Sequence, residues 1–129
     1  MQGDATDRPH AIVVDDDADF ARLLARRLEP AMVVEVRDTA IGLSSRLMTG
    51  PPPAILFLDC MMPALTGPAV LELLARQPRL RDIPVILMSA SDSFRDAVTG
   101  HPRVVFVQKS GHVMPIVEIA LDLIAAGRR

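Results

Sequence analysis

Ala11-Ile12-Val13-Val14-Asp15-Asp16-Asp17 is the stretch whose reading decides the fold. Four apolar residues, three of them β-branched, stop abruptly at three aspartates, which suits a short strand buried on both faces. Downstream, Phe20, Leu23, Leu24 and Leu28 recur at helical spacing, with Asp17 placed to cap the helix and Pro30 to stop it. Upstream, Met1 to Pro9 is polar and without periodicity, so residues 1–9 read as a loose lead-in and residues 10–129 as one domain.

The strand-then-helix unit repeats in kind along the chain. Met32 to Val36 reads as a second strand, and Thr39 is placed to cap a helix carrying Ala40, Leu43 and Leu47. Gly50-Pro51-Pro52-Pro53 ends that helix and leads stiffly into a third strand, Ala54 to Leu58. Pro68 suits the first turn of a helix carrying Val70, Leu73 and Leu74, which ends before Pro78. Pro84 to Met88 and Val104 to Val107 read as strands four and five. A last helix runs from about His112 to Ala126, with a stripe through Ile116, Ile119, Ala120 and Leu123. Strands alternating with helices imply an α/β fold with a parallel sheet, because parallel neighbours need crossovers and right-handed crossovers place helices on the faces. The simplest such sheet is doubly wound and five-stranded, order 2-1-3-4-5, a flavodoxin-like three-layer sandwich.

Composition narrows the function classes. With 14 basic residues against 16 acidic ones, no strong field draws the chain onto nucleic acid or an anionic membrane, and no apolar run reaches membrane-spanning length. A single cysteine, Cys60, forms no internal disulfide, and nothing resembles a secretory leader, so the expected compartment is cytoplasmic. Thirteen of the 14 basic residues are arginine. The only lysine is Lys109, which points to a place where a compact ammonium is needed.

In open α/β sheets chemistry gathers outside the carboxyl ends of the strands. Strand one ends there in Asp15-Asp16-Asp17, strand three in Asp59, strand four in Ser89 and strand five in Lys109. Crowded carboxylates repel unless a hard cation neutralises them, and Mg2+ suits an all-oxygen site. Lys109 and the Ser89 hydroxyl would then face an anion held against the metal, which is the equipment of phosphoryl transfer. His10, His101 and His112 lack partners at zinc-ligand spacing and read as surface residues, while Met61, Met62 and Met88 read as packing.

These residues resemble the response-regulator receiver domains of two-component signalling. The resemblance rests on Asp15-Asp16, on Asp59-Cys60-Met61-Met62-Pro63 followed by Gly67, on Ser89-Ala90 and on Lys109, in register from about residue 10 to 126. It implies that Asp59 is the phosphoacceptor, taking a phosphoryl group from a sensor histidine kinase or phosphotransfer protein. It further implies that Asp16, Asp59 and the backbone carbonyl of Met61 bind Mg2+ directly, with Asp15 acting through water. Ser89 corresponds to the family's switch hydroxyl, Lys109 to its phosphoryl contact, and Phe106 stands where an aromatic residue often turns inward. The surface of the fourth helix, fifth strand and fifth helix would carry the signal to a downstream protein or output domain, or into a homodimer. Such a chain is a phosphoacceptor, not an enzyme, beyond catalysing its own phosphoryl transfer and dephosphorylation.

The chain departs from the family at two places. Ser110 follows Lys109 where proline after a cis bond is usual; a cis bond before serine costs about 2.5–4 kcal/mol, so a trans bond is expected. Between Ala90 and Val104 the chain is short and holds Gly100 and Pro102, so the fourth helix should be brief or irregular. Two other functions fit parts of the pattern. Asp15-x-Asp17 resembles the nucleophile motif of haloacid-dehalogenase-like phosphatases, with Asp15 attacking, and a receiver-like binding module could work without phosphorylation.

Overall fold

A computed structural model describes residues 8–62 and 66–127. Five parallel strands form one sheet: β1 (His10–Val14), β2 (Val33–Arg37), β3 (Ile55–Asp59), β4 (Val85–Ser89) and β5 (Val104–Gln108), in the order 2-1-3-4-5. The connecting elements are α1 (Ala18–Leu28), α2 (Leu43–Thr49), α3 (Gly67–Ala75) and the 3-10 helix η1 (Asp92–Val98), and α4 (Met114–Gly127) follows β5.

Alternation along the strands builds two cores. Ile12, Val14, Leu56, Leu58, Val85 and Leu87 face α2, α3 and η1, together with Leu43, Leu47, Val70 and Leu71. Ala11, Val13, Ile55, Phe57, Ile86 and Met88 face α1 and α4, against Leu24, Leu28, Ile116 and Val117. Each fully buried Leu, Ile or Phe contributes about 1.5–3 kcal/mol, so this double burial holds β1, β3 and β4 at the centre of the sheet. It also explains why their sequences read as unbroken apolar runs.

Asp17 caps α1 as expected, its carboxylate accepting from the Phe20 N–H at 3.1 Å. Thr39 does not cap α2. Its hydroxyl accepts from the Ile41 N–H at 3.1 Å in a local turn, and the helix starts only after Gly42, whose φ of 82° is costly for any residue with a side chain. The second strand begins at Val33 and the last helix at Met114, slightly later than the periodicity implies. The segment after β4 is the seven-residue 3-10 helix η1, with no buried residue, in keeping with the short, Gly- and Pro-containing stretch there. His101 is not a plain surface residue: its side chain is mostly covered, 3.5 Å from Glu72.

The lead-in expected over residues 1–9 lies largely outside the described residues. Of its last members, Pro9 accepts a backbone bond from Val33 and Arg8 reaches the Glu29 carbonyl. Pro63, within the Asp59 run, also lies outside them. Among the described residues no helix is long and apolar enough to cross a membrane.

Candidate functional site

Strand parity decides which side chains meet. Val13, Phe57 and Val107 belong to the core beneath α1 and α4. Two residues further along each strand, Asp15, Asp59 and Lys109 leave the sheet on that same side. Carboxylate oxygens of Asp15, Asp16 and Asp59 lie within 4.8 Å of one another, the one such group of potential metal ligands among the described residues. Asp15 is fully buried, Asp59 nearly so, and Asp16 is exposed.

The charges are only partly balanced. Lys109 Nζ lies 2.7 Å from Asp15 Oδ2 and 3.6 Å from Asp59 Oδ1. The Asp15 contact is a close ion pair to a fully buried carboxylate. The other oxygen, Oδ1, accepts from the Asp17 N–H at 2.9 Å. Three carboxylates against one ammonium leave two negative charges when all are ionised, which one divalent cation would balance. Burial, and then repulsion from Asp15, push the Asp59 carboxyl up to about 6 against the opposing pull of Lys109. An all-oxygen donor set of three converging carboxylates fits a hard cation such as Mg2+.

Ser89 and Lys109 flank an open cleft over Asp59, with Met61 on its rim. Ser89 is fully buried, its Oγ accepting from the Ser91 N–H at 3.1 Å, and the Lys109 N–H bonds the Ser89 carbonyl at 2.7 Å. Met61 is 61% exposed, so it is not the packing residue its apolar character implies; its N–H lies 3.5 Å from Asp59 Oδ1. Phe106 is buried beneath Arg95, whose guanidinium stands 4.9 Å from the ring centre and pairs with Asp92 at 2.6 Å. Cys60 is fully buried, and burial followed by the charge of Asp59 pushes its thiol up to about 12, which leaves it unreactive.

The Lys109–Ser110 peptide is trans. Ser110 instead starts a turn, its hydroxyl accepting from the His112 N–H at 3.2 Å just ahead of α4. Phe20 is the site residue that the periodicity hides: its ring centre lies 4.5 Å from Lys109 Nζ. Its place in the first turn of the helix that leaves the acidic strand end is the sequence signal that could have found it. The phosphatase arrangement is not favoured, since the Asp17 carboxylate is engaged in capping α1 and Asp15 is sealed from solvent.

The model of the response regulator receiver domain matches residues 11–110. Among curated relatives, the chain is 30% identical over 93 residues to the DNA-binding dual master transcriptional regulator RpaA of Synechocystis, covering 71% of this chain and 38% of that protein. It is 37% identical over 93 residues to the response regulator PleD of Caulobacter vibrioides, covering 69% of this chain and 20% of that one. The chain thus spans well under half the length of these relatives. Among solved structures, the receiver domain of the Francisella response regulator 1452 superposes with a TM-score of 0.79 at 23% identity, over 93% of this chain and 99% of that one. The response regulator TrrA of Thermotoga maritima, solved in complex with Mg2+ and BeF, superposes with a TM-score of 0.77 at 21% identity, over 89% and 98% of the two chains. At these identities the superpositions establish the fold.

Proposed function

The chain belongs to the response regulator receiver domain family of two-component systems, and from that premise we propose that Asp59 accepts a phosphoryl group from the phosphohistidine of a sensor kinase or phosphotransfer protein. The observation that carries this reading is the convergence of two buried carboxylates, Asp15 and Asp59, on the chain's only lysine. That is an expensive arrangement in a fold unless the charges are used.

Asp15, Asp16, Asp59 and the Met61 carbonyl would hold Mg2+, which neutralises charge on the transferring phosphoryl oxygens. An Asp59 carboxylate oxygen attacks phosphorus. The P–N bond to the donor imidazole breaks, its electron pair leaves with the ring, and an acyl phosphate forms on Asp59. With its carboxyl near 6, Asp59 is mostly ionised at neutral pH and ready to attack. Lys109 exchanges its contact with Asp15 for one with the phosphoryl group, and Ser89 turns its hydroxyl from the Ser91 N–H toward a phosphoryl oxygen. Closure of the Ser89 loop shifts the population of the surface formed by η1, β5 and α4, with Phe106, already buried, repacking beneath Arg95. A downstream protein, an output domain or a second copy of the chain reads that surface, in the cytoplasm.

Incubation with Mg2+ and acetyl phosphate, followed by intact-mass measurement, tests the proposal. One phosphoryl group should be gained by the wild type, and none after chelation of the metal. Gain that survives chelation would count against the site.

A further inference from the structure

Four contacts close a ring around the lysine. Asp15 Oδ1 accepts from the Asp17 N–H at 2.9 Å, and Asp17 Oδ1 accepts from the Phe20 N–H at 3.1 Å. The Phe20 ring lies 4.5 Å from Lys109 Nζ, and Lys109 Nζ returns to Asp15 Oδ2 at 2.7 Å. Phe20 is thereby tied through its own backbone to the acidic loop that it faces. The lysine's other supports are weaker: its stem has four rotatable carbons, and the peptide that follows is an ordinary trans bond to an exposed Ser110.

We propose that Phe20 is a positioning residue for phosphoryl transfer, its ring face holding the Lys109 ammonium over the acidic cluster when the lysine gives up Asp15. The proposal rests on Asp59 being the phosphoacceptor. A cation over an aromatic face keeps much of its stabilisation as it slides across the ring, so Lys109 can pass from Asp15 toward Asp59 without swinging into solvent. An aliphatic residue at position 20 would fill the same space and offer no such track.

Lys109 is the only lysine, so protein labelled with 13C-lysine gives one side-chain ε-methylene signal, free of overlap. In the wild type that signal is expected upfield of free lysine, shifted by the ring current of Phe20. Phe20→Leu and Phe20→Met should each move it back and slow phosphorylation by acetyl phosphate and Mg2+ about fivefold, the scale of one cation–π contact. Phe20→Tyr, which keeps the ring face, should restore both. A wild-type shift in either aliphatic variant, or an unchanged rate in both, would overturn the proposal. If the wild type takes up no phosphate, the phosphoacceptor reading fails instead, and the shift comparison alone still decides whether Phe20 holds the lysine.

Discussion

Lys109 Nζ is closer to Asp15, at 2.7 Å, than to Asp59, at 3.6 Å. The lysine is therefore the counter-charge of the buried Asp15 carboxylate, and a divalent cation at the acidic cluster would compete with it. Lys109→Met should destabilise the metal-free protein by about 1–3 kcal/mol, less than for a fully sealed ion pair because Asp59 can take up a proton. Magnesium should recover most of that loss, so the rise in melting temperature on adding the metal should be larger in the variant than in the wild type. Thermal unfolding with and without chelator measures both.

The raised Asp59 carboxyl gives metal-free stability a pH dependence of definite sign. In the unfolded chain this group ionises near its ordinary 3.8 and in the folded one near 6. Between those values the folded state binds more protons, so stability falls as pH rises from about 4 to 6 and stays reduced above. Asp59→Asn should remove that part of the slope and be the more stable protein at pH 7 without metal. Denaturant unfolding at several pH values, with chelator present, would reveal an unchanged slope if the carboxyl is not perturbed.

Met61, exposed on the rim of the cleft over Asp59, offers an attacking water no hydrogen-bonding group. The acyl phosphate should be long-lived. Met61→Asn should speed its loss by roughly tenfold, below the 10²–10⁴ of a fully placed general base. Phosphate release after rapid removal of donor gives the rate.

Gly67 opens α3 where that helix touches the end of β3. A Cβ there would come within 2.7 Å of Leu87 Cδ1, 3.0 Å of Cys60 Cα and 3.1 Å of the Asp59 carbonyl oxygen. Two of these are backbone atoms of Asp59 and its neighbour Cys60, so they yield only by moving that strand end. Gly67→Ala should cost about 1–3 kcal/mol of stability and slow phosphorylation, both readable from melts and intact-mass time courses.

The central strands were legible because burial on both faces writes them as apolar runs, and the acidic, serine and lysine strand ends followed from the rule for open α/β sheets. Thr39 was misread because a hydroxyl serves a turn as well as a helix cap, and the left-handed Gly42 that settles the choice is visible only in the backbone. Phe20 satisfied the helical stripe, so its apolar role concealed its contact with Lys109. Met61 shows the converse, an apolar residue left outside the core beside a charged site. Pairing of Lys109 with Asp15 ahead of Asp59 depends on a few tenths of an ångström to an ångström of side-chain placement, which no spacing rule carries.

The central claim is that phosphate attaches to Asp59. The most direct measurement treats the protein with acetyl phosphate and Mg2+, reduces the acyl phosphate with borohydride, and locates the resulting homoserine by peptide mass spectrometry, with Asp59→Asn in parallel. The account predicts homoserine at position 59 alone and no labelling of the variant. Homoserine at Asp15 or Asp16, or labelling that persists in Asp59→Asn, would contradict it.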